Sequence, residues 1–124
     1  MRTIETTLVE VSSYRQLLAG WHDEHSPAPR EKEIVAVESF LRALPPDLAP
    51  PIPMISGVTA QLGLYWDRPE NYIDLEFEEE GVISVLIVHR RSTPREHWFP
   101  RMTAGDFTPE FLTTHFCHLR KVEA

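Results

Sequence analysis

Between residues 71 and 77 the chain alternates: Ile73, Leu75 and Phe77 are apolar, while Tyr72, Asp74 and Glu76 are not. A two-residue period of this kind predicts a β-strand with one face buried. The next run, 82–88, is apolar and often β-branched at nearly every position, as in a central strand covered on both faces. Between the two, Glu79, Glu80 and Gly81 predict a three-residue hairpin loop whose glycine takes a positive φ. That loop sets Glu78 opposite Val82, so that Phe77 meets Ile83, Leu75 meets Val85 and Ile73 meets Ile87. A slip by one would bring Ser84 against Phe77 and mix the faces, which burial opposes. Upstream, a four-residue turn formed by Asp67, Arg68, Pro69 and Glu70 sets Trp66 opposite Asn71, Leu64 opposite Ile73 and Leu62 opposite Leu75. The predicted strands are therefore about 57–66, 71–78 and 82–90. A short edge strand at 96–100 is an optional fourth, with His97 and Phe99 on one side and Trp98 on the other.

Elsewhere the period lengthens. Residues 3–11 read as a short strand or an extended lead-in. Ser12 or Ser13 is a fair N-cap for a helix to about residue 25, with Tyr14, Leu17, Leu18 and Trp21 on one side. Pro27 and Pro29 break it. The clearest helix is 30–44, where Ile34, Val37, Phe40, Leu41 and Leu44 recur at helical spacing and Pro45 and Pro46 end it. Together these two segments predict a helical hairpin. Residues 47–53 are proline-rich and read as an extended strap from the helices to the sheet. Thr108, Pro109 and Glu110 supply an N-cap, a first-position proline and a first-turn acid for a last helix at about 108–121. Its buried stripe is Phe111, Leu112, His115, Phe116 and Leu119, and Arg120 and Lys121 suit its C-terminal end.

The fold class expected is α+β: an N-terminal helical hairpin, a three- to four-stranded antiparallel meander, and a C-terminal helix packed on the sheet. One sheet face is then continuously apolar. The other juxtaposes Tyr65 with Tyr72, flanked by Leu86 and Val88 and bounded by Asp74, Glu76 and Glu78. Aromatic and apolar groups inside a charged rim are the composition of protein contact surfaces. A helix laid over this face would instead make Leu86 and Val88 ordinary core, and the pattern leaves both arrangements open.

Composition narrows the function. The chain has 124 residues, 42% hydrophobic and 25% charged, enough for one domain with its own core. Its single cysteine excludes an intrachain disulfide and fits a reducing compartment. Without a long apolar run, the expected location is the cytoplasm. A formal charge of −7 argues against a general nucleic-acid binder and leaves open a basic partner.

Candidate chemistry is sparse. His22 and His25, and likewise His115 and His118, are spaced three apart, and two such pairs meeting across helices could hold zinc. Neither pair has a recognised zinc-site spacing, so no metal or cofactor is assigned. Asp74, Glu76 and Glu78 alternate on one strand face about 7 Å apart, but paired carboxylates need a desolvating pocket to act as acid and base. Cys117 falls among apolar helix positions, where a buried or half-buried thiol is expected. Nucleotide loops and nucleophile elbows are absent. The arginines at 90, 91, 95 and 101 are expected to neutralise the acidic strand across the hairpin. No catalytic residues are assigned.

Leu64, Tyr65, Trp66 and Asp67, followed by the 71–77 strand and an acidic glycine turn, resemble a pattern in short uncharacterised bacterial proteins. In these an apolar strand ending in Trp precedes a Leu-Glu-Phe-like strand, a turn and an apolar strand, after a proline-rich lead-in. The resemblance spans about residues 45–90. It implies kinship with accessory proteins of mobile elements and of toxin–antitoxin or phage-defence neighbourhoods, and it carries no catalytic residues. The expectation is a non-enzymatic acidic module, inhibitor-like or antitoxin-like, that blocks a basic protein surface through Tyr65, Tyr72, Asp74, Glu76, Glu78 and Leu86. The alternatives are a small enzyme or toxin with a His-based site, and a structural homo-oligomer such as a dimer pairing these faces.

Overall fold

The computed structural model describes residues 1–91 and 93–120. Ser92, in the predicted basic turn, and Lys121, at the predicted end of the last helix, lie outside the described residues. The fold is α+β, as the pattern predicts: α1 (Ile4–Ser13), α2 (Glu31–Ala43), a five-stranded antiparallel sheet and α3 (Pro109–His115). The strands are β1 (Ile52–Ile55), β2 (Leu62–Asp67), β3 (Asn71–Phe77), β4 (Ile83–His89) and β5 (Arg95–Met102), in sequential order across the sheet.

The first helix is not where the sequence places it. The 3–11 stretch is helical, whereas 17–25 is not. Thr3 and Thr6 cap α1 reciprocally, the Thr6 amide donating to Thr3 Oγ1 at 3.1 Å and the Thr3 amide to Thr6 Oγ1 at 2.8 Å. Leu8, Val11 and Tyr14 turn one face into the core, and the fully buried Thr7 hydroxyl donates to the Pro51 carbonyl at 2.8 Å. This packing overrides the extended preference of the β-branched residues. Gly20, with φ at +86°, turns the chain after α1, and Leu18 is left exposed. The helical hairpin therefore exists, but α1 rather than the 12–25 segment forms its first arm. Ser12 in the last turn of α1 and Arg15 just beyond it both bond Glu38 of α2, and Arg15 also reaches Glu31, so the arms run antiparallel.

The sheet has one strand more than expected, because the proline-rich strap ends in β1. Its Pro53 pairs with Leu64 on an edge strand, where a missing N–H can face away from the neighbour. The strand predicted from residue 57 begins only at Leu62. Ser56 and Gln61 close a turn before it, with Ala60 at a positive φ of 60°. Between β3 and β4 the pairing is the predicted one, Phe77 with Ile83, Leu75 with Val85 and Ile73 with Ile87. Both Glu80 and Gly81 take positive φ in the connecting turn. Between β2 and β3 the register is shifted by two: Trp66 faces Ile73, Leu64 faces Leu75 and Leu62 faces Phe77. The turn is tighter than predicted, with the Arg68 amide bonded to the Asn71 carbonyl at 2.8 Å. A two-residue shift keeps every side chain on its face, so burial alone does not choose between the two registers.

One sheet face carries the core. Leu64, Ile73, Leu75, Val85 and Ile87 are fully buried there, closed by Phe40 of α2 on Phe77 and by Phe116, beyond α3, on Trp66. The C-terminal helix is shorter than predicted, ending at His115 and followed by a turn at Cys117–Leu119. Its N-terminus is as expected, the Phe111 amide donating to Thr108 Oγ1 at 3.1 Å ahead of Pro109. Beyond it, the Ala49 amide bonds the Leu119 carbonyl at 2.6 Å, tying the strap to the C-terminal segment.

Candidate functional site

The opposite sheet face answers the question left by the pattern. The hydrophobic core takes its sheet residues from the inner face, and Tyr65, Tyr72, Leu86 and Val88 lie outside it, all partly exposed. Strand pairing lines up one row across all five strands: Ile52, Tyr65, Asp74, Leu86 and Trp98. Trp98 is 58% exposed and Ile52 37%. The structure thus adds two residues to the predicted patch. The outward parity of Trp98 is legible in the sequence, but its place beside Leu86 depends on pairing β5 with β4.

Asp74 occupies the middle of that row. Its Oδ2 accepts a hydrogen bond from the Tyr72 hydroxyl at 3.1 Å, while Oδ1 is buried without a partner. Burial pushes the Asp74 carboxyl above its ordinary value, partly offset by the Tyr72 bond. Glu76 is also raised, first by burial and then by the charges of Asp74 and Glu78. Tyr72 is pushed up to about 12 by burial and by Asp74. The Tyr65 and Tyr72 rings lie 6.2 Å apart at 32°. Arg90 does not neutralise the acidic strand as expected: its guanidinium bonds Asp67 Oδ1 of β2 at 2.7 Å and lies 5.6 Å from the Tyr72 ring centre. Ser84, 2% exposed and paired with Glu76, has an unpartnered hydroxyl.

Glu78 stands apart from the other predicted site residues. It lies at the end of the sheet and lines a pocket of about 200 Å³ between α2, the β3–β4 turn and the segment leading into α3. Phe40, Phe77, Val82, Phe107 and Leu112 make that pocket apolar.

The two histidine pairs do not meet. His22 packs on Trp21 and against Gly57, and His25 is exposed beside Glu24. His115 and His118 instead face histidines of the sheet: His118 lies 6.0 Å from His89, His89 lies 5.4 Å from His97, and His97 lies 6.2 Å from His115. His89 Nδ1 is 2.8 Å from Asn71 Oδ1. Burial, and then neighbouring histidines and Arg91, hold His89 below its ordinary value; burial and His97 do the same to His115. His89 and His115 thus favour the neutral imidazole, and among the described residues no group of three or more His, Cys, Asp or Glu is arranged to hold a metal ion. Cys117 is exposed, not buried as its apolar neighbours suggest.

No helix of the described residues is long and apolar enough to cross a membrane. Comparison with models of known protein families, with curated proteins and with solved structures returns no match.

Proposed function

We propose that this chain is a non-enzymatic binding module that docks the basic surface of a protein partner on its outer sheet face, in the manner of an inhibitor or antitoxin. The observation that carries this reading is the open row of Ile52, Tyr65, Asp74, Leu86 and Trp98, bordered by Glu76 and Glu96. It combines aromatic and aliphatic anchors with charge at the rim, and anchors of this kind dominate binding energy. The sheet edges are less suited to recruiting a partner strand. β1 contains Pro53, and β5 contains Pro100 within a bulged stretch that also carries charged residues. Recognition through the face follows.

The sign of the partner follows from charge. The charges of Asp74 and Glu78 make Glu76 hold its proton more tightly, and the whole chain carries −7. A second copy facing this surface would bring like charges together, whereas a basic surface would relieve them. The test is capture from the host lysate with the variant Asp74→Lys, Glu76→Lys, Glu78→Lys. Its control carries the same charge change at exposed positions elsewhere, Glu5→Lys, Glu24→Lys, Glu110→Lys. A basic protein held by wild type and control but lost by the face variant supports docking there. Loss with both, or with neither, overturns it.

A further inference from the structure

Charge is unevenly placed along this chain. Between residues 89 and 120 five arginines and four histidines stand against three acids, although the whole chain carries −7. Part of that excess converges on a cleft of about 330 Å³ where β3 begins and β4 ends, lined by Glu70, Asn71, His89, Arg90, Arg91 and His118. The cleft is separate from the outer row, since Asn71 and His89 pair with each other and share the parity of the core residues Ile73 and Ile87. Arg90 is committed elsewhere, its NH1 bonding Asp67 and the Arg68 carbonyl. The charges that act on His89 are all positive, those of His97, Arg91, His118 and His115. Glu70, the one acid on the wall, does not counter them. Among the described residues neither Arg91 nor any of these four histidines forms an ion pair.

Asn71 fixes the chemistry of the cleft. Its side-chain oxygen can only accept, so the 2.8 Å contact makes His89 Nδ1 the donor and leaves Nε2 to take a second proton. The residue is 4% exposed, yet its amide nitrogen has no partner among the described residues and is not one of the sealed side-chain atoms. That N–H pair is therefore open to an acceptor in the cleft, and a largely buried donor is stabilised by one.

We propose that this cleft binds the terminal phosphate of a small phosphomonoester, its oxygens accepting from Asn71 Nδ2, the Arg91 guanidinium and the imidazolium forms of His89 and His118. A phosphomonoester brings three acceptor oxygens and a charge near −2 to donors that have no counter-charge of their own. A carboxylate offers two oxygens and a single charge, and a phosphodiester likewise carries one charge, so both leave the cations less well matched. The site is independent of the docking surface on the outer face.

The test uses the full chain, isotopically labelled, with its imidazole and Asn71 side-chain resonances followed by NMR at about pH 6.5. There a monoester is mostly dianionic and imidazoles are partly protonated. Methyl phosphate should bind with a Kd on the order of 1 mM, shifting His89, His118 and the Asn71 amide. Dimethyl phosphate, the diester, should bind about tenfold more weakly. Saturation with methyl phosphate should raise the His89 pKa by about one unit, because a bound dianion favours the imidazolium; reciprocally, protonated His89 grips the anion about tenfold more tightly. Arg91→Gln should weaken binding about tenfold. Asn71→Asp keeps an acceptor for His89 Nδ1 but sets a carboxylate against the anion, and should abolish binding. Arg91 is exposed, so its variant carries the test even where Asn71→Asp lowers the melting temperature. Shifts reproduced by potassium chloride at equal ionic strength would overturn the site. So would equal binding of the diester, an unmoved His89 pKa, or undiminished binding by Arg91→Gln.

Discussion

Replacing Arg15 with glutamine should destabilise the protein by about 2 kcal/mol at pH 7 and by much less near pH 3. Glu38 is 6% exposed, and its carboxylate accepts from Arg15 NH2 at 2.6 Å, Arg15 NH1 at 2.8 Å and Ser12 Oγ at 2.6 Å. Arg15 first, and Ser12 less, hold this carboxyl at about 2 against an ordinary 4.5, despite the opposing effect of burial. That difference corresponds to about 3 kcal/mol of preference for the charged form in the folded state. The Arg15 side chain is 32% exposed, so solvent screening reduces what its loss removes, and the Ser12 bond remains. The folded pKa is depressed, so the contribution is present above about 4.5 and is lost as pH falls through 4.5 toward 2. Urea unfolding midpoints at pH 7 and pH 3, at constant m, compare the full contribution with the part, about two fifths, that survives inside the window. The double variant Arg15→Gln, Glu38→Gln should recover part of the loss at pH 7, because no buried charge is left unpaired. A loss that is equal at both pH values, or below about 0.5 kcal/mol at pH 7, would refute the assignment.

Two further outcomes follow from other parts of the fold. Gly63→Ala should lower stability by about 1–3 kcal/mol, because a Cβ there would sit 2.9 Å from the Leu75 carbonyl oxygen and 2.6 Å from Met54 Cε. The methionine can move but the neighbouring strand cannot, and an unchanged thermal midpoint would show that the β2–β3 spacing is looser than described. The histidine cluster should make stability fall on mild acidification. His89 and His115 are held below the ordinary 6.5, so the unfolded chain takes up protons first; stability is complete above about 6.5 and drops as pH falls below it. Asp74 and Glu76, raised in the fold, act in the opposite sense at lower pH, so the comparison belongs between pH 7.5 and about 5.5. His89→Gln, His115→Gln should flatten the profile in that window, and an unaltered slope would place its origin elsewhere.

The short-range rules carried far in this chain. The alternation at 71–77 determined which face is buried, and the three-residue loop determined the β3–β4 register, because hairpin pairing depends on neighbours in sequence. Tyr72, Asp74 and Leu86 were legible as neighbours for the same reason, while Tyr65 joined them by face parity alone, its cross-strand partner being Asp74 and not the predicted Tyr72. So were the limits of α2 and the cap at Thr108, which are set by local proline and hydroxyl chemistry.

Other features were decided only by tertiary contacts. The β-branched 3–11 stretch became helix because Leu8, Val11 and Tyr14 find a core to enter and Thr7 finds the Pro51 carbonyl. The β2–β3 register differed by two residues because parity, all that burial reads, is the same in both. Pro53 took a sheet position because an edge strand leaves one side unpaired. Ile52 and Trp98 joined the outer row only through the pairing of the two edge strands, and the four histidines met only through the docking of the C-terminal segment on β4 and β5. Whether the outer face lay open was likewise beyond the pattern, since an apolar outward position looks the same under a helix or facing a partner. A chain's period specifies what each face can accept; the packing of distant segments decides what it meets.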